Sequence, residues 1–573
     1  MIRHTVCFVA IISLAICVSL RASAANDAPD VSAEFAAAQA AWSNSDRLGN
    51  EAKAAAAAGD ADKSLKLYEQ QEAANNEAQA NFRKALQKDP EQSQVLAAYG
   101  RFAIAHNEFV PARIRFVKAL ESPRAKTLLK EPELASAWRT LGGLAERAGD
   151  VNQALLHYDS AARLCPSDPR NPLSLALAFS ATGRSEKALP LLKAWTDDKA
   201  DGVPVQDAAL RALGVYTLAV AQEETGHYED ALASYEKARE LATKAGDAEN
   251  TGVFDHATMA LERLNDFFDG LQERKADREK ENEARAAKKL KPLPDERADI
   301  AEALYAYDEG LDLKEKVLQD QTFVTTLARA RDEGGDPAAR DALINHPAYD
   351  RFQAAINRFN VAIAKYPRLP QACYQLGLCH LLSGNFKDAR RALETALAYS
   401  PYNFAALNLL GEVLLETGQG DQAATIFKTA LAQFSDSGPA HFGLGRALFI
   451  LQRSQRDCET ALTELDRAEE LGLRDKRIYS TQLLTRKDGT ELEGRVREKD
   501  GDLLVDLSDG KTVTVAKADI TERTNKPGLR DRLTDRIQRF ERGEPAPQGP
   551  KLRGRQPHDL QGPDPLKDPW ARP

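Results

Sequence analysis

Along most of the chain apolar residues recur three and four positions apart with polar residues between them, the pattern of amphipathic helices that bury one stripe each. After Asp475 the rhythm becomes alternating. Leu483-Leu484, Leu492 to Val496, Leu503 to Leu507 and Val513 to Val515 read as short strands, separated by Asp488-Gly489, Asp500-Gly501 and Asp509-Gly510. Asp-Gly tolerates the positive backbone angles of tight hairpins, so residues 476–524 are predicted to form a small all-β module. A short helix is expected from Leu529 to Arg542.

The helical part repeats itself. Trp138, Leu141, Gly142, Gly149, Ala154, Tyr158, Ala161 and Pro166 are followed, in the next window, by Leu175, Ala176, Gly183, Ala188, Leu192 and Trp195. The pattern returns as Leu376, Gly377, Gly384, Ala389, Leu393, Ala396 and Pro401, then as Leu410, Gly411, Gly418, Ala423, Phe427 and Ala430. Further copies run through Leu218, Gly226, Ala231 and Tyr235, and through Leu444, Gly445, Ala461 and Leu465, the last with a short insertion. Weaker traces lie at Gly100, Ala112 and Phe116, at Ala78, Phe82 and Pro90, and at Ala355, Phe359 and Pro367. In this pattern the chain resembles the tetratricopeptide repeat (TPR) family, whose unit of about 34 residues is a pair of antiparallel helices.

The spacing has a physical origin. Gly142, Gly377, Gly411 and Gly445 stand where the helices of a pair cross closely, facing the second helix through Ala154, Ala389 and Ala423. Gly149, Gly183, Gly226, Gly384 and Gly418 end the first helices, where a left-handed cap residue is required. The fold class predicted is mainly α: a TPR α-solenoid in two arrays, residues 25–249 and 346–475, with the β module and a disordered Pro-rich tail behind it.

Stacked hairpins leave a face lined by first helices. The resemblance implies ligand-facing positions at Tyr374, Asn408, Glu412, Phe442 and Arg446 in the later array, and at Arg101, Arg139, Arg147, Tyr216 and Glu223 in the earlier one. The paired Lys and Asn with which some family members clamp a terminal carboxylate are absent, so the mixed aromatic and amide lining points to an extended or helical peptide.

Residues 250–345 lose the register. Glu273 to Lys289 carries seven basic and five acidic residues and reads as a solvated helix, broken by Pro292 and Pro294. A second helix is expected from Asp295 to about Gln319 through Ile300, Leu304, Tyr307 and Leu311. The segment is either an arm that grips a partner or, the favoured reading, degenerate repeats or a spacer. The β module resembles Sm-like or SH3-like barrels of exported bacterial proteins. Residues 525–573 hold the short helix and then eight prolines between Glu544 and Pro573, too little apolar surface to order a tail.

Composition and address narrow the function. The chain has 573 residues, 77 Lys and Arg against 86 Asp and Glu, and a formal charge of -9. That balance, without a basic block, argues against nucleic acid as partner. Arg3 and His4, the apolar run Cys7 to Leu20 and Ala22-Ser23-Ala24 read as a signal peptide over residues 1–24. Export to a periplasmic or extracellular space is therefore expected, with no membrane span after cleavage. The four cysteines then left, Cys165, Cys373, Cys379 and Cys458, read as buried thiols.

No zinc-binding His pair, nucleophile elbow or phosphate loop is present in the sequence, so no metal, cofactor or catalytic residue is predicted. The expectation is an exported scaffold or adaptor that binds protein segments and performs no bond chemistry. The alternatives are an envelope assembly factor acting by self-association and, behind it, an enzyme with a cryptic site.

Overall fold

A computed structural model of the chain describes residues 29–198, 208–245, 252–292, 296–332, 337–401, 403–475, 477–499, 502–507 and 512–544. The segments expected to be a signal peptide and a Pro-rich tail lie outside the described residues. The chain divides into two compact units, one reaching Leu141 and including Arg163–Cys165, the other formed by Gly142–Ala162 and the chain from Pro166 onward.

The first unit opens with two long helices, α1 (Ser32–Ala57) and α2 (Ala61–Lys88), joined by a turn in which the Asp60 carboxylate accepts from the Lys63 amide. Their contact is rich in alanine: Ala38, Ala52, Ala74 and Ala78 are buried, so the backbones approach closely. Next come α3 (Ser93–Ala105), α4 (Phe109–Glu121), the one-turn α5 (Ala125–Leu128) and α6 (Glu131–Arg147), whose last turn belongs to the second unit. The core is aromatic. Phe82 stacks on Tyr99 at 5.0 Å and packs against Phe102 at 5.7 Å. The sequence trace Ala78, Phe82, Ala85 is thus the far half of a helix twice the length of a repeat helix.

The second unit is a run of hairpins. The end of α6 pairs with α7 (Val151–Leu164), α8 (Arg170–Ala181) with α9 (Ser185–Asp198), and α10 (Ala208–Glu224) with α11 (Tyr228–Lys244). Later come α17 (Pro370–Leu382) with α18 (Phe386–Tyr399), α19 (Phe404–Glu416) with α20 (Gly420–Gln433), and α21 (Gly438–Leu451) with α22 (Gln455–Glu470). Gly149, Gly183, Gly226, Gly384 and Gly418 all have positive φ between 72° and 82°, as expected of the caps between paired helices. The crossing glycines meet residues one turn beyond the alanines singled out in sequence. A Cβ on Gly142 would stand 2.4 Å from the Tyr158 ring, and one on Gly411 2.4 Å from the Phe427 ring.

Between the arrays the structure shows what the sequence hid. The 35-residue α12 (Val253–Ala287) packs on α11 through its first half and runs on through the charged segment. α13 (Glu296–Leu318) then pairs with α16 (Tyr349–Lys365), and two helices, α14 (Gln321–Asp332) and α15 (Pro337–Ile344), are inserted between them. This pair is a repeat: a Cβ on Gly310 would meet the Phe359 ring at 2.7 Å, as Gly411 meets Phe427. α13 and α16 thus pair as the helices of a hairpin, within a stretch expected to hold degenerate repeats or a spacer. One continuous core joins it to its neighbours through Tyr235, Leu264, Tyr307, Phe323, Phe352 and Phe359.

The β module is an open antiparallel sheet of β1 (Thr481–Arg486), β2 (Glu491–Lys499), β3 (Asp502–Leu507), β4 (Thr512–Ala516) and β5 (Ile520–Lys526), in the order β4-β3-β2-β1-β5. Val496 faces Val505 and Leu503 faces Val515 across the ladders, and Leu484, Leu503, Val505 and Val515 form a small core. The expected barrel is not closed. After β4 a 3₁₀ turn (Lys517–Asp519) carries β5 across to β1, and β4 and β5 share no ladder among the described residues. β5 was not foreseen because Thr521 to Lys526 are polar and exposed, leaving no alternation to read. The final helix α23 (Leu529–Glu541) returns to the last repeats, burying Leu529 and Leu533 in their core.

Candidate functional site

First helices of the later array lie side by side, so residues 34 apart become neighbours. Glu412 on α19 accepts two hydrogen bonds from Arg446 on α21, at 2.6 and 2.8 Å, and Glu416 a third at 3.1 Å. The Arg446 side chain is only 13% exposed, which keeps this pair from being fully screened. Phe442 lies one turn earlier on α21. It is 3% exposed, beneath the guanidinium groups of Arg446 and Arg477, which sit 5.5 and 4.9 Å from its ring centre. Phe442 is therefore a covered floor beneath these groups and not a ring open to solvent.

Tyr374 and Asn408 continue the row. Tyr374 is half-buried against the later core, and burial pushes its hydroxyl up to about 12. Asn408 donates from Nδ2 to the Phe404 carbonyl at 3.2 Å.

The earlier positions are mostly paired within the chain. Glu223 accepts from the Tyr235 hydroxyl at 2.8 Å and forms a two-pronged ion pair with Arg263 of α12. Tyr216 packs its ring 5.7 Å from that of Tyr235, and burial raises its hydroxyl to about 12. Arg147 donates to Asp436 at 3.3 Å, a contact spanning 289 positions. In the first unit, Arg101 is exposed and Arg139 half-buried.

The structure also assembles a polar cluster that the sequence reading missed. The cap between α8 and α9 meets α13 and α17: the Tyr307 hydroxyl donates to the Gly183 carbonyl at 2.6 Å, the Gln375 amide reaches the Thr182 carbonyl at 3.5 Å, and Arg184 pairs with Glu315 at 2.7 Å. Lys314, buried and with its ammonium pKa lowered by burial, donates to Gln375 Oε1 at 2.5 Å. Ser185 donates to Glu224, whose pKa burial raises to about 7. These partners lie from 39 to 193 positions apart, so no local spacing announces them.

Among the described residues no group of His, Cys, Asp or Glu could hold a metal ion, and no helix is long and apolar enough to cross a membrane. Cys373, Cys379 and Cys458 are buried thiols, with Cys373 and Cys379 both raised to about 12 by burial.

The hairpin geometry agrees with sequence models of known families. Residues 100–169 and 381–448 each match a tetratricopeptide repeat model. These two stretches are similar to tetratricopeptide repeats, and the fold around them is mainly α, helical hairpins followed by a small antiparallel sheet. Among solved structures it is similar to pilF of Pseudomonas aeruginosa, at 15% identity over 38% of this chain and 98% of that one, with a TM-score of 0.27. It is also similar to the TPR domain of P58(IPK), at 14% identity over 72% of this chain and 99% of that one, with a TM-score of 0.21. The TPR2AB domain of yeast Sti1, described in complex with pHSP90, is 12% identical over 59% of this chain and 98% of that one, with a TM-score of 0.20. No curated protein sequence matches the chain.

Proposed function

We propose that the chain is an exported adaptor that holds a segment of another protein along the first helices α17, α19 and α21, with the β sheet giving a second contact. The observation that carries this reading is the row Tyr374, Asn408 and Phe442, each 34 positions on from the last, flanked by the Glu412–Arg446 pair. Tyr374 and Asn408 give aromatic and amide groups and the Glu412–Arg446 pair charged ones over the Phe442 floor, at helix-to-helix spacing, which suits a peptide lying across the helices. The chain's own groups already satisfy part of that surface, so the affinity would come from few anchors.

A photo-crosslinking residue at Asn408, used in intact cells with mass spectrometry of the products, tests the proposal. A defined protein partner is expected. Recovery of the chain crosslinked only to itself would replace the adaptor with self-association. Fractionation of the same cells tests export: a periplasmic or extracellular pool beginning near Ala25 is expected, and a cytoplasmic pool retaining Met1 would remove that part of the reading.

A further inference from the structure

The covering of Phe442 has an unusual source. Arg477 lies in the linker between α22 and β1, and its guanidinium reaches back over the ring of a first helix. It also donates to Asp475, at 2.9 Å from Nε and 2.7 Å from Nη2. Glu412 and Glu416 lie within its electrostatic reach. An arginine from outside the repeats thus occupies an aromatic floor with three carboxylates around it, two of which are already shared with Arg446.

The backbone and the side chain of this linker are held differently. Leu529 donates its amide to the Arg477 carbonyl at 2.8 Å, Arg530 donates to the Ile478 carbonyl at 3.1 Å, and Ile478 is fully buried. The main chain is pinned by α23. The Arg477 side chain, in contrast, is 46% exposed. It can swing into water while the linker stays in place, exposing one face of the Phe442 ring and leaving three carboxylates against the single cation of Arg446.

From this arrangement we infer that the last repeat carries an arginine-recognition site, filled in the free protein by Arg477 and taken over by an arginine of a basic peptide when a partner binds. A guanidinium fits the position better than an ammonium. It can lie over a ring and donate to a carboxylate through two N–H groups at once, and Arg477 here sits 4.9 Å from the Phe442 ring centre while donating twice to Asp475. The site deepens the adaptor reading and rests on it. Arg477 competes with the partner for the same ring and the same Asp475 oxygens, so it weakens binding without closing the surface.

The test uses the full chain and a fluorescein-labelled Gly/Ser peptide carrying two arginines, with lysine and glutamate versions of the same peptide, read by fluorescence anisotropy. Arg477→Ala is expected to bind the arginine peptide on the order of tenfold more tightly than the unaltered protein, the size of one cation–π and ion-pair contact released. Lysine should bind more weakly than arginine, glutamate not at all, and Phe442→Leu made together with Arg477→Ala should lose the gain. Arg477→Gln, which keeps a long polar side chain, serves if the alanine variant melts early. Equal affinity of Arg477→Ala and the unaltered protein, or no preference for arginine over lysine, overturns the inference. A partner still captured by the crosslinker at Asn408 would then leave the adaptor reading standing; loss of that capture in the unaltered protein would remove both.

Discussion

Gly310 lies against the ring of Phe359, although 49 positions separate them, in the same relation that Gly411 has to Phe427 16 positions away. Two helices inserted between α13 and α16 stretch the sequence distance without altering the contact. A repeat is therefore defined by which backbone comes within reach of which ring, and the insertion conceals it only from a reader counting residues.

Substituting either glycine should be costly in the same way. Gly411→Leu places a side chain where a Cβ alone would stand 2.4 Å from the Phe427 ring, and Gly310→Leu does so at 2.7 Å from Phe359. Overpacking costs about 1 to 3 kcal/mol, whereas the helix propensity gained over glycine returns no more than about 1 kcal/mol. Both variants should unfold at lower temperature and lower denaturant concentration than the parent. An unchanged midpoint for Gly310→Leu would mean that α13 and α16 are not a repeat.

The contact between the α6–α7 turn and the later array should depend on packing more than on charge. Arg147 and Asp436 are each about 30% exposed, so the ion pair is worth about 0 to 1 kcal/mol. Gly149, at φ +82°, has Pro439 2.5 Å from the place a Cβ would take. Gly149→Val must strain the backbone and push Pro439 away, at a cost of about 1 to 3 kcal/mol. Hydrogen exchange should rise across residues 434–439 in Gly149→Val and stay nearly unchanged in Asp436→Asn. The reverse order would assign the contact to charge.

Glu224 predicts a pH dependence. Burial raises its folded pKa to about 7 from the ordinary 4.5, with Glu223 and Glu186 nearby adding to the rise and Ser185 and Gln371 opposing it. The folded state therefore binds this proton more tightly than the unfolded state does. Its stabilising contribution is complete below about pH 4.5 and is lost as pH rises through about 7, a change on the order of 3 kcal/mol. Glu224→Gln removes the titration, so the gap in melting temperature between parent and variant should move in favour of the variant from pH 5 to pH 8. A constant gap would show that Glu224 keeps an ordinary pKa.

Cys373 and Cys379 should resist alkylation. Burial holds both thiols near 12, leaving almost no thiolate at neutral pH. Maleimide should label them in denaturant and not in buffer, as mass spectrometry of the peptides would show. Rapid labelling of either in the folded protein would mean that α17 opens far more readily than its packing implies.

The repeats were legible because they are local. Gly142 and Tyr158, or Gly411 and Phe427, lie on the two helices of one hairpin, and the steric need for a small residue opposite a ring recurs at each turn of the period. Sheet strands with buried faces were visible for the same reason, through Leu484, Leu503, Val505 and Val515, while β5 had only Ile520 to reveal it. The sequence could name Phe442, Glu412 and Arg446 as neighbours on one face, since stacked hairpins bring residues 34 apart together. It could not say that Arg477 would cover that ring, or that Tyr307 and Gln375 would reach the cap at Gly183. The Arg477 contact lies beyond the last repeat, where the period has ended, and the Tyr307 and Gln375 contacts span 124 and 193 positions, so neither leaves a mark in local spacing. The chain's own order of residues determined the hairpins, and only the tertiary structure decided which of their surfaces stay open.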